Sequence, residues 1–572
     1  MLTESKKRLA TWRLDAALAL LLILLAFAVR IHSIGFNSLS EDETAKWMAI
    51  QQYRQGHFAG VNSEHPMMLK MLAWGSLAGG ERWNKWASAH DLPTLAPEGW
   101  LRLPNVLFGA ATAGILYLLC RLAMGMTGSF MAGFFWAFSP LTVAVNRLVK
   151  EETALTFFTL LACYFYWRAK TADGHGKTRF WLALSAGAFG MATAAQYIIH
   201  LFGLNHLAWY VAGRRGLDRK PLHALHLRVF VLMGVAFLLT NPLVLEPESV
   251  RYVLGWLHHD GIRHTGYDFS GHLYPNFPSL LLAGVPWYFY LWMLIVKTPI
   301  PILVAIVAGT ILLLLRRNTI VSCLFLSMGV VQLAGLSLSG AKWIRYSLSL
   351  LPFLYLAGGY AVQAGWDWAK QTRARIPLAA MAGLVLLAWP VLELRAWSPY
   401  YPFYLNAIGG GKTNIARYFS PDETSEFDTR QVAEPICRDA PAGMTLATAR
   451  PNSMRYYLQR CGRPDIRIVA LYDPLYVPGN GDVIVLERSR RFLETQRFFD
   501  LLSPSDMPRR EVRVGPVAAS TMYVFQSSAL ASRKTQTPAL AQVRPDARAE
   551  RDMASTTLYK FPAWQGLLRE QP

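Results

Sequence analysis

Apolar and polar positions are distributed unevenly along this chain. Up to about residue 394 long apolar runs alternate with short polar segments; after that the runs shorten and mix with charge. A helical run of about twenty apolar residues matches the hydrocarbon thickness of a bilayer. The pattern predicts eleven spans, over roughly 15–34, 101–122, 124–144, 152–168, 180–196, 198–213, 228–245, 299–315, 319–338, 346–364 and 377–394. The first run is too long, and too poor in small residues near its end, for a cleavable signal peptide, so it reads as a retained span. The run in "SLLLAGVPWYFYLWMLIVKTPIP", Ser279 to Pro301, is of another kind. Trp287, Tyr288, Tyr290 and Trp292 favour the membrane–water interface, and a span there would invert every later loop. It reads as an interfacial or re-entrant segment, with an ordinary span as the alternative.

Beyond 394, "MTLATA", "IRIVAL", "DVIVLE" and "STMYVF" read as short strands. "NSMRYYLQR" and "RSRRFLETQRFFDLL" have helical period. The expected fold is therefore a polytopic α-helical membrane protein over 1–394, with large loops at 35–100 and 246–298. A small α/β domain follows at 395–527, and 528–572, poor in apolar pattern, reads as a mobile tail. Within the first loop, 44–55 and the stretch around Met67 to Leu77 read as amphipathic helices that can lie in the interface plane.

Composition agrees: 53% of the 572 residues are hydrophobic and 16% charged. A net charge of +20 raises the question of nucleic acid. The basic residues answer it, because they cluster between apolar runs: Lys6-Lys7-Arg8, Arg214-Arg215, Arg316-Arg317, and Lys370 with Arg373 and Arg375. That is the positive-inside pattern, not a nucleic-acid footprint. It puts the N-terminus in the cytoplasm. The loops 35–100, 145–151, 246–298 and 339–345, and everything after 394, then lie on the outer face. Cys120, Cys163 and Cys323 sit in apolar runs as packing residues. Cys437 and Cys461 lie in the soluble part and can pair if that compartment is oxidising.

The candidate chemistry gathers on the outer face. "SEDE", Ser40 to Glu43, follows the first span, where a carboxylate could act as general base or merely cap the next helix. "EHP", Glu64 to Pro66, follows in the same loop, with His65 held extended by its proline; Lys70 reads as a snorkelling cation. Arg147 and Glu152 flank the start of a later span, where an ionisable group faces a cavity or a partner. Arg102, Lys297, Lys342 and Arg345 form a set of cations on that face, suited to a phosphate or else to snorkelling. The histidines of 256–278 (His258, His259, His264 and His272, beside Asp260) match no standard metal spacing and read as substrate contacts before metal ligands.

The ordered set Asp42-Glu43, His65-Pro66, Arg147…Glu152, Lys297-Thr298-Pro299 and Lys342…Arg345-Tyr346 resembles the GT-C glycosyltransferases. The likeness is to bacterial relatives of the protein O-mannosyltransferases and of the lipid A aminoarabinose transferases. "YPFYLNAIGGG", Tyr401 to Gly411, resembles a segment after the last span of some of these enzymes, and the resemblance covers roughly 15–420. It implies a body of about 11–13 transmembrane helices and a polyprenyl-phosphate-linked sugar as donor. The acceptor would be a hydroxyl of a protein, lipid or glycan, at the outer face of a bacterial inner membrane. It implies Asp42 as base or acceptor-orienting carboxylate, Glu43 supporting it, Glu152 as a second acid, and His65, Arg102, Arg147, Lys297, Lys342 and Arg345 as substrate contacts. Met67 stands where the family often has a second proline, and Glu152 where Asp is commoner. Fixed cations beside a phosphate leaving group would remove the need for a metal or other cofactor. The alternative from another class is a polytopic lipid or sugar transporter, which would bring repeat symmetry and charges near the bilayer midplane. The sequence has neither.

Overall fold

The computed structural model describes residues 2–217, 227–257, 265–277, 280–316, 319–419 and 426–527. The expected tail at 528–572 and His258, His259, Asp260 and His264 lie outside these residues. The chain opens with α1 (Leu2–Ile31), α2 (Glu41–Arg54), α3 (Met67–Ser88), α4 (Pro97–Arg121), α5 (Met126–Phe138) and α6 (Pro140–Asn146). Then come α7 (Glu151–Thr171), α8 (His175–Ala195), α9 (His200–Arg214), α10 (Leu227–Thr240) and α11 (Pro247–Leu257). A hairpin, β1 (Gly266–Phe269) and β2 (His272–Pro275), precedes α12 (Phe289–Lys297) and α13 (Ile300–Leu315). The helical body ends with α14 (Ile320–Phe325), α15 (Gln332–Leu338), α16 (Leu351–Ala369) and α17 (Ile376–Trp397).

Each of the eleven predicted runs is helical in whole or in large part. Among the described residues, four helices are long and apolar enough to cross a membrane: Trp12–Ile31, Pro97–Arg121, Ile320–Leu338 and Arg373–Trp397. The count becomes five if α5 and α6, bent by 57° at their junction, form one broken span. α10 and α13 are apolar but only 14 and 16 residues long. α12 has nine residues, about 13 Å of helix against a hydrocarbon core of about 30 Å, so it does not span alone.

Helices in this body approach closely through small residues, as in membrane bundles. A Cβ on Gly309 of α13 would fall 1.8 Å from the Ala357 carbonyl of α16, and one on Gly128 of α5 would fall 2.5 Å from the Gly359 carbonyl. The bend between α5 and α6 is filled by Arg30 of α1, which is fully buried. Its guanidinium donates to the carbonyls of Trp136, Ala137 and Ala26 and to Thr142 and Asn146, at 2.9–3.3 Å. All five of its N–H groups are thereby used.

The C-terminal part adds α18 (Ile415–Tyr418), α19 (Thr429–Asp439), β3 (Thr445–Thr448), α20 (Pro451–Arg460), β4 (Arg467–Ala470), β5 (Val483–Glu487), α21 (Gln496–Leu502), β6 (Arg509–Val514) and β7 (Val517–Val524). The five-stranded sheet runs β4-β3-β5-β7-β6, with β4, β3 and β5 parallel and the last two antiparallel. Alternation divides its side chains. Leu446, Val483 and Val485 face α19 and α20, while Ala447, Ile484 and Leu486 face Phe498 and Leu502 of α21. The four expected strands and the helix at "NSMRYYLQR" are present. β6 was not expected, because "RREVRV" is an edge strand that carries charge. The long helix expected at "RSRRFLETQRFFDLL" is confined to α21.

The cluster behind α19 and α20 does not stop at the domain. It continues into Leu39, Ile50, Leu69, Ala73, Leu77 and Leu101 of the segment that follows α1 and leads into α4. The α/β part is therefore seated on the loop that carries "SEDE".

Candidate active site

α2 starts where it does because Ser40 and Glu43 form a reciprocal capping box. The box puts three acids, Glu41, Asp42 and Glu43, in the first helical turn, where the helix dipole favours negative charge. One turn points them in three directions, and their environments diverge.

Glu43 turns into the body. Its oxygens accept from Arg102 Nε at 2.8 Å and Nη2 at 2.7 Å, from Ser40 N–H at 3.0 Å and from Val149 N–H at 3.0 Å. Burial opposes its charge, but Arg102 and these hydrogen bonds hold the carboxyl below its ordinary range. Arg102 also donates to the carbonyls of Ile34, Asn37 and Ser38. All five of its donors are used, so its expected role as a phosphate contact is corrected: it fixes the loop. Glu43 is likewise a structural partner, with no free face for a substrate.

Glu41 is also buried. Its carboxylate accepts from the N–H groups of Asn452 at 3.0 Å and Ser453 at 2.9 Å, capping α20 from outside. Sequence reasoning had no signal for this partner, which is about four hundred residues away.

Asp42 keeps a quarter of its side chain exposed and pairs with Lys150, the residue before α7. Burial opposes ionisation, yet Lys150, Lys46 and Arg345, with Arg490 of the C-terminal domain, outweigh it. They hold the Asp42 carboxyl well below the usual range, so it is an anion at neutral pH. Lys46, one turn along α2, pairs with Glu151 at 3.0 Å. The His65 Nδ1 lies 3.3 Å from the same Glu151 oxygen. Burial lowers the His65 pKa against the pull of Glu151, leaving the imidazole neutral. Glu152 pairs with Arg345 at 3.0 Å, and Arg345 stacks over Trp343 and Tyr346 at 5.0 and 5.3 Å.

Asp42, His65, Glu152 and Arg345 therefore belong to one charged cluster, built by α2, the loop before α3, the start of α7 and the segment before α16. Lys46, Lys150 and Glu151 belong to it too and were missed. The signal was present: Lys46 lies at i+4 from Asp42 on an amphipathic helix, and "KEE" puts Lys150 and Glu151 directly beside Glu152.

Other expected residues lie elsewhere. The Arg147 guanidinium donates to the carbonyls of Ser33 at 2.6 Å and Pro399 at 3.5 Å and covers Tyr401, tying the end of α1 to the stretch after α17. Lys297 donates to the carbonyls of Pro402 at 2.8 Å and Tyr404 at 3.3 Å, holding the "YPFYLN" segment. It lines a small cavity with Ile344 and Tyr401. Lys342 donates to the Ser339 carbonyl, and burial pulls its ammonium down to about 8. Lys70, read as snorkelling, instead binds the carbonyls of Val61, Asn62 and His65 at 2.6–3.3 Å and so shapes the turn that presents His65. Cys437 and Cys461 form a disulfide that joins α19 to the end of α20. Among the described residues, no three His, Cys, Asp or Glu side chains converge to hold a metal ion.

Comparison with known proteins points one way. Residues 97–240 match the family model of dolichyl-phosphate-mannose-protein mannosyltransferase. Over 178 residues the chain is 26% identical to the Bacillus subtilis (strain 168) protein named "Putative mannosyltransferase YkcB", covering 30% of this chain and 24% of that protein. The match thus spans about a quarter of that relative's length. Among solved structures, ArnT from Cupriavidus metallidurans bound to undecaprenyl phosphate superposes with a TM-score of 0.51 at 14% identity, over 89% of this chain and 98% of that one. The Archaeoglobus fulgidus oligosaccharyltransferase tethered to an acceptor peptide containing the NVT sequon also gives 0.51, at 9% identity, over 83% and 69%. At such identities the structural likeness is one of fold. Together these matches uphold the resemblance read from the ordered motifs.

Proposed function

We propose that this relative of the GT-C glycosyltransferases is itself an integral-membrane glycosyltransferase. It would move a sugar from a polyprenyl-phosphate carrier to a hydroxyl acceptor of a protein, envelope lipid or glycan. The observation that carries the reading is Asp42: a partly exposed, ionised carboxylate at the start of α2, inside a ring of fixed cations. The acceptor oxygen attacks the anomeric carbon as the bond from that carbon to the phosphate oxygen breaks. The phosphate leaves with the electron pair, and the acceptor proton passes to Asp42. A carboxylate of low pKa is a weak base, which suits a transition state in which the leaving group departs first and the proton moves late. Arg345 and Lys150 stabilise charge growing on the lipid phosphate. His65, neutral and supported by Glu151, contacts the sugar or acceptor hydroxyls.

The two structural neighbours, one bound to undecaprenyl phosphate and the other tethered to an acceptor peptide, support a lipid-linked donor and an acceptor in general; the hydroxyl acceptor is part of the proposal. The disulfide and the positive-inside loops support an oxidising, extracytoplasmic side for the site. Eleven spans remain our reading of the topology. The test is mass spectrometry of envelope glycans, glycolipids and glycoproteins from cells with and without this protein. Loss of one glycan substituent in its absence supports the proposal, and an unchanged profile overturns it. Because fixed cations are positioned to take the phosphate charge, transfer should persist in EDTA; activity restored only by added divalent ions would overturn that part.

A further inference from the structure

The proposed chemistry rests on one carboxylate at the start of a short helix, and that first turn is held from outside the helical body. Glu41 N–H donates to Glu426 Oε2 at 2.9 Å. The other oxygen of Glu426 accepts from Arg490, just after β5. The Glu41 side chain caps α20, Leu39 N–H donates to the Tyr457 hydroxyl at 2.8 Å, and Ser38 bonds the Phe427 carbonyl at 2.8 Å. Glu426 and Arg490 are both buried. Just before Asp42, then, the chain is fastened to the C-terminal domain through the Glu426–Arg490 ion pair and a capped helix.

We infer that Arg490 and Glu426 are positioning residues for Asp42, so that the C-terminal domain completes the active site instead of only covering it. This rests on the reading of Asp42 as the acceptor-activating carboxylate. Two effects follow from one pair. Geometrically, Glu426 fixes the N–H that starts α2 and hence the direction of the next side chain. Electrostatically, Arg490 adds positive potential at Asp42, behind the nearer Lys150, Lys46 and Arg345; Glu426, the anion paired with Arg490, would offset part of that potential. Glu151, Glu152 and His65 complete the ionisable groups around the cluster. The two partners therefore act on Asp42 with opposite sign.

Full-length protein in vesicles from a deletion strain, given the lipid-linked sugar fraction extracted from wild-type cells, provides the assay. Arg490→Gln should lower kcat about 10–100-fold with KM for the donor unchanged, as expected for a misaimed group. It should also move the acid limb of the pH–rate profile upward, because a cation near Asp42 is gone. Arg490→Lys should return the acid limb to its wild-type place. Glu426→Gln keeps an acceptor for the Glu41 N–H and removes the offsetting anion, so its acid limb should move the other way. Wild-type kcat in Arg490→Gln, or a loss of kcat with the acid limb unmoved in both variants, overturns the inference. If the wild-type vesicles transfer no sugar, the functional reading fails. Hydrogen exchange at the amides of 41–45 then still decides the positioning: faster exchange in Arg490→Gln supports it, and unchanged exchange overturns it.

Discussion

Asp42 and Glu43 are adjacent in sequence and opposite in environment, and substitution should separate them. Asp42→Asn removes the proton acceptor but keeps an oxygen that can accept from Lys150; transfer should fall by about 10²–10⁴-fold, with the amount of protein in the membrane unchanged. Glu43→Ala breaks a buried ion pair and leaves Arg102 without its anion, at a cost of about 3–5 kcal/mol. It should appear as a lower Tm and less folded protein, before any effect on turnover per folded molecule. Normal transfer by Asp42→Asn would remove the central claim. These neighbours also show what a sequence can reveal. Asp42, His65, Glu152 and Arg345 draw attention because ionisable groups stand at the ends of apolar runs, and the structure gathers them. Arg102, Arg147 and Lys297 give the same signal and turn inward to bind carbonyls and Glu43. The difference lies in side-chain direction and in partners more than fifty residues away, which no local pattern encodes.

At the scale of elements, the junction between α2 and α20 should respond to pH. Burial raises the Glu41 carboxyl to about 7, against the lowering effects of Arg490 and the N–H groups of Ser453 and Asn452; Glu426 adds to the rise. A carboxyl with a raised pKa in the docked state holds its proton more tightly there, so protonation favours docking. The contribution is complete below the ordinary glutamate range, near 4.5, and is lost as pH rises through about 7. Protection of the Asn452 and Ser453 amides should therefore fall between pH 6 and pH 8 by more than base catalysis of exchange explains. In Glu41→Gln that excess should vanish. The elements themselves were mostly legible, since apolar runs and alternation identify helices and strands. The hairpin β1–β2 was not: it turns at Ser270 and Gly271, both at positive φ, and is held by contacts to the C-terminal domain, such as Arg491 with Asp268 at 3.0 Å.

For the molecule as a whole, one apolar cluster runs from the segment between α1 and α4 into the sheet domain, and the Cys437–Cys461 bridge staples the two helices that form its far wall. The bridge closes a separation of 24 residues and should contribute about 3 kcal/mol by restricting the unfolded chain. Replacing both cysteines by serine should lower the Tm of the C-terminal domain and, through the shared cluster, loosen α2; an unchanged Tm would show that docking alone holds the two helices. Arg30 ties the molecule together in time as well as in space. Its partners, from Trp136 to Asn146, follow it by 106–116 residues. At a synthesis rate of about 5–20 residues per second, the first helix waits roughly 5–20 s for them. During that interval it carries a guanidinium with only its own Ala26 carbonyl to bind. The newborn first helix is thus poorly suited to leave the insertion machinery alone, and its release should be coupled to the arrival of the α5–α6 bend.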